Sequence, residues 1–134
     1  FLPEAYVADP NQRLVLYRRF AAAVHEDEIY ALLDELRDRY GEPPEPARLL
    51  VEVMKLRTWM KQLRIEALEY AGHRMVFSFP GTTRVAPEQI LALLADPARY
   101  HFSPDYRLTV KVGRLEPEAL LAAAKKELQG FQSL

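Results

Sequence analysis

A glycine followed by three closely spaced prolines separates two apolar periodicities in the stretch DELRDRYGEPPEPA, from Asp34 to Ala47. Proline lacks an amide hydrogen and its ring collides with the preceding turn, so no helix continues through Pro43 and Pro44. On the N-terminal side, Ile29, Leu32, Leu33, Leu36 and Tyr40 recur at three-to-four-residue spacing and predict one buried stripe. Gly41 stands where a left-handed residue closes a helix. The stretch therefore predicts a helix end, a rigid turn and a new helix start. Off the stripe, Glu35, Asp38 and Arg39 fall at i, i+3 and i+4 and share one exposed face. Two acids and a guanidinium at fixed spacing suit directional contacts with a partner that presents arginines. Exposed charges at such spacing more commonly form a solvated face with an internal ion pair, and the residues alone favour that plainer reading.

With 134 residues, 49% of them hydrophobic, the chain suffices for a single domain spanning 1–134 with its own core. A formal charge of −1 argues against nucleic-acid binding through a generally basic surface, though not against a local patch. There is no cysteine, which removes disulfides, zinc-thiolate sites and thiol nucleophiles. No apolar run approaches the roughly 20 residues of a membrane span, and no signal peptide opens the chain. These features fit a cytoplasmic protein without membrane contact. The opening Phe1-Leu2-Pro3 suggests a segment of a longer protein.

Asp9-Pro10 reads as an N-cap followed by proline at the first helical position. A helix then extends to about Ala23, with Leu14, Tyr17, Phe20 and Ala21 as its apolar side. The second helix covers about Glu26 to Tyr40, its acidic first turn complementing the helix dipole. The third follows Pro46 and reaches about Leu63, with Leu49, Val53, Leu56, Met60 and Leu63 as its stripe. The period then changes to two. Ile65 to Tyr70 and Arg74 to Phe79 read as strands of a hairpin (65–79) about the turn Ala71-Gly72-His73. A fourth helix is expected from Pro87 to about Ala95, and short strands at Tyr100 to Phe102 and Tyr106 to Val112. A last helix, about Glu116 to Gln129, should end near Gly130. The order predicts an α+β fold: about five helices with a small, mostly antiparallel sheet of hairpin 65–79 and strand 106–112.

The residues offer no catalytic constellation. His25, His73 and His101 lie in separate segments without a second ligand at metal spacing. The five glycines are not clustered, so there is no phosphate-cradling loop, and Ser78, Ser103 and Ser133 lack a neighbouring base. Glu26 with Glu28, or Glu66 with Glu69, lie on polar faces with nothing to desolvate them. Neither a catalytic residue, nor a metal, nor a cofactor is expected. Lys55, Arg57, Lys61, Arg64 and Arg74, near Trp59 and His73, form a basic group on the third helix and hairpin. They leave open a second role, contact with the phosphates of a nucleic acid.

Three segments together resemble a known family: EAYVADPNQRLVLYRRFA at Glu4 to Ala21, LLDELRDRYGEPPEPARLL at Leu32 to Leu50, and VMKLRTWMKQLRIEALEY at Val53 to Tyr70. The chain is similar to the C-terminal domain of the bacterial transcription-repair coupling factors, over roughly its first 80 residues. Tyr6, Asp9, Arg13, Leu14, Tyr17 and Arg19 match the family's opening pattern, and Glu35, Asp38, Arg39, Gly41 and Pro44 its central one. One departure stands out. The family usually has Leu-Gly-Ile where this chain has Leu63-Arg64-Ile65, so Arg64 must either take a left-handed conformation or end the helix differently.

The resemblance implies a cytoplasmic parent, an ATP-driven DNA translocase that displaces stalled RNA polymerase and recruits UvrA. ATP and magnesium would belong to the parent; this domain would carry no ATPase motif and no cofactor. It implies a non-catalytic regulatory domain that packs on a UvrB-like N-terminal module of the same protein and masks its UvrA-binding surface. By that correspondence Glu35, Asp38 and Arg39 become the interface residues, against the plainer reading above. The isolated domain is expected to be monomeric. Because the three side chains face away from the apolar stripe, replacing them is expected to leave the domain's own stability nearly unchanged.

Overall fold

The computed structural model describes residues 1–132; Ser133, considered above as a nucleophile, lies outside them. Its elements are α1 (Pro10–Ala22), α2 (Glu26–Tyr40), α3 (Glu45–Leu63), β1 (Ala67–Ala71), β2 (Arg74–Ser78), α4 (Pro87–Leu93), β3 (Tyr100–Phe102), β4 (Arg107–Lys111) and α5 (Pro117–Gln132). Five helices and a four-stranded antiparallel sheet of order β1-β2-β4-β3 give the α+β fold expected from the sequence. The chain divides into two compact units, Phe1–Trp59 and Met60–Leu134, with the boundary inside α3.

Unit one is helical. Asp9 caps α1, its carboxylate accepting the Asn11 N–H at 2.9 Å, with Pro10 at the first position. Leu16 and Phe20 of α1, Ile29, Leu32 and Leu36 of α2, and Ala47, Leu50, Val51 and Met54 of α3 form one apolar core. Two stripes differ from the expected ones. On α1, Leu14 is 48% exposed and Leu16 takes the buried place. On α3, Val53 faces outward while Leu50, Val51 and Met54 turn in. Both helices carry adjacent apolar residues, so more than one stripe satisfies a 3.6-residue period, and packing selects between them. Gly41 ends α2 with φ +84° and ψ −170°, a region open essentially to glycine but not the left-handed helical one that was expected.

Polar side chains tie unit one's loops to its helices. The Tyr6 hydroxyl donates to the Gly41 carbonyl at 2.7 Å, and the Tyr17 hydroxyl accepts the Leu2 N–H at 2.7 Å. Arg13 donates to the carbonyls of Val7 and Ala8 at 2.7 and 3.0 Å. Burial, with the nearby Glu42 carboxylate, raises the Tyr6 phenol above its ordinary pKa and keeps it a donor.

In unit two, α3 stops at Arg64, whose φ of +54° is left-handed. The Ile65 N–H bonds the Met60 carbonyl at 2.9 Å and the Arg64 N–H bonds Lys61 at 3.2 Å, the paired closure of a Schellman cap. Arg64 thus performs the glycine exit without being glycine, at about 1 kcal/mol. Because Ile65 belongs to this cap, β1 begins at Ala67 rather than at Ile65. The β1–β2 turn places Gly72 and His73 at φ +59° and +65°, the signs a type I′ hairpin requires. β4 is shorter than expected. Tyr106 has φ +60° and its N–H bonds the Ser103 carbonyl, so it completes the tight turn from β3 instead of opening the strand.

The registers Tyr70↔Met75↔Val110↔Tyr100 and Leu68↔Phe77↔Leu108↔Phe102 put these eight side chains on one face. The α5 helix packs there: Phe131 meets Phe77 edge-on at 5.3 Å and Phe79 at 5.8 Å. The sequence predicts a stop near Gly130, but α5 continues through it to Gln132. Burying Phe131 outweighs the roughly 1 kcal/mol that glycine costs within a helix. The α4 helix ends at Leu93, two residues before the expected Ala95.

Candidate functional site

The site begins with two helix turns. Arg19 lies in the last turn of α1 and Glu35 in the third turn of α2. Both guanidinium nitrogens of Arg19 meet both Glu35 oxygens, at 2.9 and 2.7 Å. This fork geometry is the most directional pairing available to a carboxylate. The hydrogen bonds from Arg19 hold the Glu35 carboxyl below the usual glutamate range, and the pairing raises the Arg19 pKa in return. Glu35 is thus a fixed, partly screened acceptor.

One turn further along α2, Asp38 and Arg39 are exposed. Neither forms an ion pair among the described residues; Arg39 lies over the Tyr40 ring at 5.3 Å. The neighbouring charges are engaged locally: Arg37 contacts Asp34 and Glu42, and Arg48 contacts Glu42. On α1, Leu14 and Val15 lie about one turn before Arg19 and are 48% and 45% exposed. Sequence reasoning about α2 alone missed Arg19 as a member of this surface. It also treated Leu14 as core, although its place in the family pattern marked it without explaining it.

Of the basic residues considered as a second site, Arg57, Lys61, Arg64 and Arg74 are exposed and Lys55 is not. Lys55 is mostly buried, with its ammonium 3.3 Å from Glu52 and 5.1 Å from the Tyr30 ring centre. Lys55 and Arg57 lie in unit one, whereas Lys61, Arg64 and Arg74 lie in unit two. Among the described residues no group of three His, Asp or Glu side chains is arranged to hold a metal ion. No helix among them is long and apolar enough to cross a membrane.

Comparison with known proteins places these features in context. A family model described as "TRCF domain" matches residues 1–90. The transcription-repair-coupling factor of Myxococcus xanthus is 34% identical over 130 residues, which is 96% of this chain but 11% of that protein. That of Escherichia coli (strain K12) is 35% identical over 108 residues, 80% of this chain and 9% of that protein. The chain therefore spans about a tenth of the length of these curated relatives. A crystal structure of the C-terminal domain of a transcription-repair coupling factor shares the fold at 16% identity. It superimposes with a TM-score of 0.82 over 98% of this chain and 86% of that one.

Proposed function

The chain belongs to the TRCF domain family of transcription-repair coupling factors, and on that premise we propose that it is a regulatory, non-catalytic interaction domain. It packs on a UvrB-like N-terminal module of the parent and masks the surface that UvrA would occupy. The parent is an ATP-driven DNA translocase acting on stalled RNA polymerase. The observation that carries the reading is the surface of α2, where Asp38 and Arg39 are exposed and, among the described residues, have no ion-pair partner, beside the anchored Glu35.

The physical logic suits a reversible clamp. A partner module in the same chain sits at high effective concentration, so modest contacts suffice to keep a surface covered. Arginines on that module would take Asp38 and the outer lone pairs of Glu35, while Arg39 donates to an acid or a carbonyl. Each partly desolvated charge-assisted bond is worth about 1.5–3 kcal/mol. Leu14 and Val15 supply exposed apolar area at the neighbouring helix turn. Charged contacts exchange readily with water and salt, whereas a large apolar seam would seldom open.

The test is the parent carrying Glu35→Ala, Asp38→Ala and Arg39→Ala together. Basal ATP turnover and UvrA affinity should both rise, by several factors of ten if the contacts were independent and by less because neighbours couple. A parent whose two activities are unchanged by the triple replacement removes these residues from the clamp.

A further inference from the structure

The face of the sheet opposite α5 carries a second feature, confined to unit two and independent of the reading above. There Arg74 of β2 stands directly across from Lys111 of β4, and His101 of β3 directly across from Thr109 of β4. With Pro97, Arg99 and Tyr100 these four line a concavity of about 280 Å³. Like charges opposed across a strand pair repel. Among the described residues neither Arg74 nor Lys111 has an ion-pair partner to offset this. Arg99 at the rim is held in place, bonded to Glu127 at 3.4 Å and to the Tyr100 hydroxyl at 3.3 Å. Glu69 of β1 shares the sheet face but is separated from Thr109 by Val76.

We propose that this concavity binds the phosphate groups of a nucleic-acid backbone. An anion between Arg74 and Lys111 relieves their repulsion, with the Thr109 hydroxyl and His101 imidazole as further donors. These donors come from three strands and so approach from several directions. A tetrahedral phosphate can accept from all of them, whereas a planar carboxylate is best matched by donors in its own plane. A further cation, Arg107, lies on the same face four residues along β4, about 13 Å from Lys111. One phosphate cannot span that distance; a polymer of phosphates does. Among the described residues Arg107 is paired only with exposed Asp105 at 3.4 Å, a contact weak enough to exchange. Between them Val76 and the exposed His101 ring offer surface for sugar and base.

The experiment measures binding of a short labelled oligothymidylate to the 134-residue chain at increasing salt, with inorganic phosphate and polyglutamate as alternative ligands. The expected result is oligonucleotide binding with a logarithmic salt slope of about −1.4, as for two phosphates on a single strand, one between Arg74 and Lys111 and one at Arg107. Arg74→Ala with Lys111→Ala should weaken it at least about tenfold, Arg74→Lys with Lys111→Arg should retain it, and Arg57→Ala on α3 should leave it unchanged. Amide shifts in the unmodified chain should cluster at residues 99–101 and 109–111, a readout independent of how the variants fold. No binding, equal affinity for polyglutamate, binding of inorganic phosphate alone, or an equal loss in Arg57→Ala would each overturn the proposal.

Discussion

The two units differ in what organises each of them, helices in one and a sheet in the other, although unit two has its own side-chain ties, Tyr70 to Gly113 and Leu115 and Thr83 to Leu63. In unit one, individual polar side chains reach individual backbone atoms: Tyr6 to Gly41, Tyr17 to Leu2, Arg13 to Val7 and Ala8. Each such tie needs one residue type of one length, so the identity of the residue is constrained. In unit two the sheet's inner face needs apolar residues on alternate positions, and several residue types fill such a face equally well. The family model covers unit one and unit two as far as residue 90, and the Myxococcus xanthus relative aligns over 130 residues. The fold persists at lower identity, with 98% of the chain superimposing on a relative at 16% identity.

The largest test of this contrast is in unit two. Phe77 is fully buried, and Phe77→Ala should cost about 3–5 kcal/mol in urea unfolding, whereas Phe77→Leu, which preserves the pattern, should cost much less. In unit one, identity should matter more than character. Arg13→Lys keeps the charge but is too short to carry its ammonium to where the single Arg13 Nη1 donates to both carbonyls, and should lose a large part of the roughly 1.5–3 kcal/mol expected for Arg13→Ala. If Arg13→Lys is silent while Phe77→Leu is severe, the contrast is wrong.

Arg64 allows a gain rather than a loss. Arg64→Gly removes the left-handed penalty at the α3 exit and should raise stability by up to about 0.5 kcal/mol, the glycine's extra unfolded-state freedom taking back the rest. A lower melting temperature in this variant would show that the Arg64 side chain stabilises the exit.

Effects of similar size are expected on α2's exposed face. Glu35→Ala breaks the α1–α2 tie and should cost up to about 1 kcal/mol, while Asp38→Ala and Arg39→Ala should each stay within about 0.5 kcal/mol. This revises the sequence expectation that all three are neutral in the isolated domain. The pH dependence has a definite sign. The Glu35 carboxyl is held below its unfolded value, so its contribution is complete above the ordinary glutamate range and is lost as pH falls through the lower folded pKa. A difference between the original chain and Glu35→Gln that disappears in acid would confirm it; one that persists there assigns the cost to something other than ionisation.

Most of the fold was written locally. Asp9-Pro10, the break at Gly41 to Pro44, and the alternation Met75-Phe77-Phe79 each act within a few residues through caps, missing amides or the two-residue strand period. Those terms therefore determined the element order, the α+β class and the exposed triplet Glu35, Asp38 and Arg39. Tertiary structure decided what local energies leave nearly degenerate. Packing turned Leu16 rather than Leu14 inward and carried α5 through Gly130 to bury Phe131. It also brought Arg19 from another helix to Glu35, and Arg74, Lys111 and His101 from three strands into one concavity. Such choices depend on groups distant in sequence, and only the assembled chain sets their energies.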